Sequence, residues 1–246
     1  MKRAEAIILS KHPLREADEI LVCLTREHGK KEFRAVGVKK PAAKHAGALQ
    51  RLNHLHLFYV EGARLPIVTD SHLISSFSNM RRRKEALQAA MATLSSLERT
   101  LPLGFSDEPA WRQLIELLTS LDTEVLGGVL LPLSPFIFMY SLLCHHGMRP
   151  ELDACVRCGR PVVNDDSISF SFSRGGIMHQ SCLGDETYTA QLSPATVGVL
   201  KSWSSQSPAR ILGQELSQPV REEVSLFIDH FVVWQFDTPA DPGRRV

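Results

Sequence analysis

The chain has 246 residues, 43 % of them hydrophobic, which is too apolar for a disordered chain and enough for one large domain or two to three small ones. Its net charge of +1 conceals a split: residues 1–84 carry 17 Lys and Arg against 8 Asp and Glu, a net of +9, whereas residues 85–246 carry 11 against 19, a net of −8. A basic first third points to a polyanion partner, and an odd count of five cysteines, three of them in one stretch, argues against a disulfide framework and for metal binding in a reducing cytoplasm.

The N-terminal apolar run Ala6–Leu9 is too short for a signal-peptide core and no small-residue cleavage site follows it. It is the first of a set of short β-type runs: Ala6–Leu9, Glu19–Thr25, Lys31–Val38, Leu52–Val60, and Pro66–Thr69 with Leu73–Phe77. Turn chemistry separates them at His28-Gly29-Lys30, at Pro41–Gly47 and at Glu61–Arg64. Five short strands in about eighty residues fit a small closed barrel, and the five-stranded OB-fold that binds oligonucleotides is the expected form.

The positive charge of this region is concentrated. Lys30, Lys31, Arg34, Lys39, Lys40, Lys44 and Arg51 fall within twenty-two residues and flank a hairpin and the Pro41–Gly47 loop. Lys and Arg contacts to phosphates supply most sequence-independent affinity for nucleic acid, and aromatic rings add stacking platforms for bases. Phe33 is the candidate ring. If Val36 and Val38 face the barrel interior, Phe33 lies outside among the lysines; in the opposite register it is core, and one sequence does not fix the register. The run Arg81-Arg82-Arg83-Lys84 either extends the basic track or is a solvated helix start.

From Arg81 the period becomes helical. Leu87, Met91, Leu94, Leu97 and Leu101 recur at three- and four-residue steps; a second helix follows Pro109 and a third follows Pro135. The longest apolar stretch, Leu130–Leu143, is interrupted by Pro132 and Pro135 and falls short of the ~18–20 residues of a membrane span. Residues 151–185 have no such period. Helical patterns return after Pro194 and Pro219, where Val220, Val224, Phe227, Ile228, Phe231 and Trp234 form an apolar stripe. The sequence therefore predicts an α+β, multi-domain chain: a barrel at 1–80, a helical domain at 81–150, a metal module at 151–186, and C-terminal helices at 187–246 that pack with the helical domain.

The aperiodic segment holds Cys155-Val156-Arg157-Cys158 and, twenty residues on, His179-Gln180-Ser181-Cys182. The pattern C-x2-C, x20, H-x2-C is that of two zinc knuckles. Zn²⁺ takes four nitrogen or sulfur ligands in a tetrahedron, and a C-x2-C turn aims two thiolates at one ion. Four ligands close the site, so the single zinc is expected to be structural, replacing a core in a segment too small to build one. Zinc deaminases also carry C-x2-C but need His-x-Glu, and none of the ten histidines has Glu two residues on. Cys23 and Cys144 read as small core residues. There is no Gly-x4-Gly-Lys-Ser/Thr loop for nucleotide phosphates and no carboxylate cluster in the basic region for a nuclease metal. The residues thus describe a nucleotide-independent binder without catalysis. An RNA-binding accessory factor and an interaction scaffold are the competing readings.

Several segments together resemble one family. Glu5-Ala6-Ile7-Ile8-Leu9, Arg15-Glu16-Ala17-Asp18-Glu19-Ile20 and Leu24-Thr25-Arg26-Glu27-His28-Gly29-Lys30 are similar to the N-terminal signature of RecO, the bacterial recombination-mediator and strand-annealing family. Gly37-Val38-Lys39-Lys40-Pro41 resembles its basic segment. Gly147, Pro150-Glu151-Leu152, Cys155–Cys158-Gly159, Phe170-Ser171 and Gly175-Gly176 resemble the segment around its zinc knuckles. The family usually has Cys-x2-Cys at the second knuckle; His179 takes the first place here, and imidazole is a good zinc ligand.

The resemblance implies an OB-fold, a helical body and a zinc module in a cytoplasmic, nucleoid-associated bacterial protein with no membrane partner. It also implies binding of single- and double-stranded DNA, annealing of complementary strands, and loading of the recombinase RecA together with RecR. Arg15, in the signature segment, joins the expected DNA contacts. The helical part is expected to receive protein partners, including the apolar, acidic tail of single-strand-binding protein, with Arg112, Lys201 and Arg210 as its sparse cationic rim.

Overall fold

The computed structural model describes residues 1–39, 47–104, 106–123, 130–162 and 168–236. By packing, the chain forms two compact units, Met1–Pro135 and Phe136–Val246.

The first unit opens with five strands: β1 (Lys2–Pro13), β2 (Glu19–Thr25), β3 (Gly29–Ala35), β4 (His54–Val60) and β5 (Ile67–Ser75). They close into a barrel in the order β1-β2-β3-β5-β4, as the spacing of turn signals predicts. All neighbours are antiparallel except β3 and β5, which close the barrel through one parallel pair, Arg34 opposite Ile67. A register shift between Ile8 and Ser10 lets the long β1 bend and serve both β2 and β4.

Alternation fills the interior. Ala4, Ala6 and Ile8 of β1, Leu21 and Cys23 of β2, Phe33 and Ala35 of β3, and Leu55, Leu57 and Tyr59 of β4 form one buried cluster. Phe33 meets Tyr59 edge to face at 5.1 Å, and three alanines leave room for the two rings. The outward side chains Ile7, Leu9, Val22 and Leu24 are buried as well, so this side of the barrel is covered. Its cover includes α1 (Lys84–Thr100) and the chain after it. Leu103 bridges to Lys30, and the Gly104 N–H donates to the Lys30 carbonyl at 2.8 Å. The helix α2 (Glu108–Thr123) completes the pair, with Trp111, Leu114, Leu117, Leu118 and Leu121 buried.

The second unit takes in all but the first two residues of α3 (Ser134–His145), then β6 (Ile168–Ser171), β7 (Gly176–Met178), β8 (Thr189–Leu192), α4 (Pro194–Trp203), α5 (Pro208–Leu212) and α6 (Gln218–Phe236). The three strands form a sheet in the order β7-β6-β8. Phe170 of β6 packs edge to face on Phe227 of α6 at 4.8 Å, and the Tyr140 hydroxyl of α3 donates to the Leu200 carbonyl of α4 at 3.0 Å. The predicted apolar stripe is the buried face of α6: Val224, Phe227, Ile228 and Phe231 are covered, with Val220 and Trp234 at its half-exposed ends. Among the described residues no helix is long and apolar enough to cross a membrane.

Candidate nucleic-acid interface and metal centre

Three connections meet at one end of the barrel. The β1–β2 connection is tightened by the Leu14 N–H donating to the Asp18 carbonyl at 3.1 Å. The chain leaving β3 is held to it by the Lys39 N–H, which donates to the Ala17 carbonyl at 3.1 Å. The β4–β5 connection joins through the Arg34 N–H and the Pro66 carbonyl at 2.8 Å. Asp18 is the hub. Its Oδ1 accepts from the Gly37 N–H at 2.9 Å and its Oδ2 from Arg34 Nη2 and Nε at 2.7 and 3.2 Å. Gly37 has φ 68°, the left-handed conformation glycine permits, which turns its N–H onto the carboxylate. The Gly37 N–H and then the Arg34 guanidinium hold the Asp18 carboxyl below its ordinary range, and nearby Arg15 adds to the effect. Arg15, Lys39 and, on the β4–β5 connection, Arg64 are exposed here, and none forms an ion pair among the described residues. Arg64 was not among the expected contacts; a lone arginine between Ala63 and Leu65 gave the sequence no signal.

Most of the other predicted cations serve the fold. Lys30 is buried and its Nζ donates to the Glu98 carbonyl of α1 at 2.7 Å. Arg51 donates from Nε to the Leu9 carbonyl at 2.5 Å and from Nη2 to the Met91 carbonyl at 3.2 Å and Ser95 Oγ at 2.6 Å. Arg81 reaches the Ser76 and Arg51 carbonyls and Asn53, and Arg83 reaches the Leu121 carbonyl. Lys31 lies over the Tyr59 ring at 5.0 Å and the Phe33 ring at 5.7 Å. Arg34 is paired with Asp18. Arg82 and Lys84 remain exposed. Lys40 and Lys44 lie outside the described residues.

Phe33 requires a correction. It is fully buried at the barrel centre and cannot stack on a base. The β2–β3 register pairs it with Leu21, another core residue, and turns Val36 outward at 54 % exposure. The aromatic ring of the barrel that does face outward at this strand is Phe58. It is half-buried on the outer face of β4, 4.9 Å from the His72 ring and beside Arg3 of β1. Alternation along Leu55, Leu57 and Tyr59 was the available signal that Phe58 faces outward. Of the three expected partner-docking cations, Arg112 is on α2 in the first unit, 3.7 Å from Glu108. Lys201 is paired with Asp153 at 2.8 Å, and Arg210 is exposed on α5; both are in the second unit.

The metal module hangs on β7. The Glu151 and Val156 N–H groups donate to the carbonyls of Gly175 and Ile177, and the Ile177 N–H donates back to Glu151. Gly176 makes this approach feasible: a Cβ there would sit 2.3 Å from Val156 Cγ1 and 2.8 Å from Glu151 Cβ. The first knuckle turns through the Gly159 N–H, which donates to the Cys155 carbonyl at 2.8 Å, and Gly159 has φ 71°. The ligand atoms of Cys155, Cys158, His179 and Cys182 all lie within 4.8 Å of one another. Cys158 Sγ and Cys182 Sγ are 3.5 and 4.0 Å from His179 Nδ1. A tetrahedral zinc with ordinary bond lengths separates its sulfur and nitrogen ligands by about 3.5 Å.

His179 Nε2 donates to the Pro161 carbonyl at 3.2 Å, which turns Nδ1 toward the thiols, and its hydrogen bond with Cys155 raises the pKa of the imidazole. Burial pushes the Cys155 thiol up, but N–H groups of Cys158, His179 and Arg157 and the His179 ring outweigh it and bring it down to about 6. The Arg160 N–H lowers Cys158, while burial and the two other sulfurs raise Cys182. The donor set fits a thiophilic cation, and all four positions are filled by protein. Arg157 Nη1, donating to the Cys182 carbonyl at 2.7 Å, ties one knuckle to the other. Cys23 is buried in the barrel, and burial pushes the half-buried Cys144 thiol up to about 11.

Comparison with known proteins agrees with this architecture. Residues 1–77 match the family model described as recombination protein O N terminal, and residues 83–240 match that of recombination protein O C terminal. The DNA repair protein RecO of Syntrophomonas wolfei is 25 % identical over 227 residues, which are 92 % of this chain and 88 % of that protein. The RecO of Desulforamulus reducens is 25 % identical over 235 residues, 96 % and 90 % of the two chains. That of Cutibacterium acnes is 31 % identical over 186 residues, 73 % of each. With the barrel under one family model and both knuckles under the other, the chain belongs to the RecO family.

Proposed function

We propose that this protein is a DNA-binding recombinational repair protein that anneals complementary single strands without ATP and without catalysing a covalent step. The observation that carries the reading is the closed barrel with exposed Arg15, Lys39 and Arg64 on converging connections. Those loops are where OB-folds take oligonucleotides. Phosphates engage these cations, with Lys40 and Lys44 of the adjoining chain and with Arg82 and Lys84, and Phe58 offers a base-stacking face. Weak, numerous and mobile contacts let a second strand sample pairing registers, and each neutralised phosphate lowers repulsion between strands.

The Cys155, Cys158, His179 and Cys182 set would hold one Zn²⁺ as a structural staple that organises the segment 151–186. The relatives' shared name, DNA repair protein RecO, supports placing the chain in bacterial DNA repair. RecR, RecA loading and the tail of single-strand-binding protein belong to the same proposal, with Arg112, Lys201 and Arg210 as docking cations. So does the division into a barrel at 1–80, helices at 81–150, a metal module at 151–186 and closing helices at 187–246. The test is annealing of complementary DNA strands across a salt series, with the Lys39→Glu/Lys40→Glu variant beside wild type. The variant should anneal more slowly and with a shallower salt dependence. Equal rates, or a preference for RNA of the same sequence, would overturn the reading.

A further inference from the structure

Arg34 stands at the loop end with Arg15 and Lys39, yet its charge is answered from within the protein. Asp18 Oδ2 alone receives both Nη2 and Nε of the guanidinium, the two donors with which arginine also grips a phosphate. The Asp18 side chain is 9 % exposed and that of Arg34 28 %, so the anion is tucked beneath a cation whose outer edge still faces solvent. The other carboxylate oxygen is engaged separately by the Gly37 N–H, which keeps Asp18 in place whatever Arg34 does. Four arginine and lysine charges, those of Arg15, Arg34, Lys39 and Arg64, thus meet here, and that of Arg34 is cancelled.

We propose that Asp18 is a built-in counter-anion that takes the place of a DNA phosphate on Arg34 and so limits how tightly this end of the barrel grips a strand. The inference rests on the DNA-binding reading above and deepens it. An annealing protein needs contacts that exchange, and one masked arginine weakens the grip without removing the fork from the loop end. Asp18 acts through Arg34 and is a positioning residue; it need not touch the strand.

Asp18→Asn keeps an oxygen for the Gly37 N–H while deleting the charge. It should bind single-stranded DNA with a log K against log salt slope steeper by about 0.7, the increment of one more phosphate contact on a single strand. With equal binding at 1 M salt as the reference, that corresponds to binding about eightfold tighter at 50 mM salt and about threefold tighter at 200 mM. The double variant Asp18→Asn/Arg34→Gln, with no unpaired charge, should return to the wild-type slope. It carries the test by itself if Asp18→Asn alone does not fold. A wild-type slope for Asp18→Asn, or a slope for the double variant shallower than wild type by about 0.7, overturns the masking role and leaves DNA binding standing. A wild-type protein that binds no single-stranded DNA at low salt overturns both.

Discussion

An arginine in a basic region can serve a phosphate or the fold, and Arg51 serves the fold. Its guanidinium spans from the Leu9 carbonyl of β1 to the Met91 carbonyl and Ser95 hydroxyl of α1. Arg51→Ala strands these half-buried acceptors, at about 1–3 kcal/mol for each that water cannot reach. We expect a lower denaturation midpoint and a salt slope of DNA binding equal to wild type. A slope reduced like that of a lost phosphate contact would return Arg51 to the interface. Phe33→Ala belongs to the same scale. Deleting a fully buried ring beside Tyr59 should cost about 3–5 kcal/mol in urea titration, without selective loss of DNA affinity in the folded fraction. At this scale the sequence displays residue types but not their commitments. Lys30, Arg51, Arg81 and Arg83 looked like a basic track because the carbonyls they cap are supplied by chain up to 68 residues away.

The elements were legible in proportion to their length. Helices α1, α2 and α6 are long enough for a 3.6-residue period to repeat; the stripe named for α6 is its buried face, whereas in α1 Leu94 and Leu97 are buried but Leu87 and Met91 only half-buried, because the small residues Ala86, Ala89, Ala90 and Thr93 fill the covered side. β6 and β7 have four and three residues, too few for alternation to show, and the segment holding them read as aperiodic. What fastens that hairpin is Glu186. Its carboxylate accepts from Ser173, Arg174 and Ser171, and these bonds, Ser173 first, bring its pKa down to about 2. The folded value lies below the unfolded one, so the stabilisation is fully present above the unfolded value of about 4.5 and is lost as pH falls toward 2. Glu186→Gln should lower the melting temperature at pH 6, and its gap to wild type should narrow as pH drops from about 4.5. A gap that stays constant down to pH 3 would show that the charge of Glu186 is not what matters.

For the whole molecule, the metal staple and the barrel are expected to fail separately. A strong chelator should speed amide hydrogen exchange across 151–186, while the barrel amides of 1–77 keep their protection. Cys158→Ala should do the same, and gently purified wild-type protein should contain close to one zinc per chain. Zinc content well under one, or loss of protection spreading through the barrel, would contradict the staple role. The grouping of three thiols and an imidazole within 4.8 Å supports the first expectation. The separate compactness of Met1–Pro135 supports the second.

Sequence by itself determined the class of the protein: a five-strand barrel, helices after it, and a four-ligand cluster spaced as two knuckles. Each is written in local signals, in turn residues, in periodicity and in C-x2-C spacing, which persist in an unfolded chain. Only the tertiary structure decided which charges are free. Register in a barrel is set by pairing across strands, so one residue of slip exchanges Phe33 with a surface position. The destination of a guanidinium is likewise set by whichever carbonyl or carboxylate the fold brings within about 3 Å. Asp18 on Arg34 and Pro161 on His179 are both such long-range partners, which composition could not have shown.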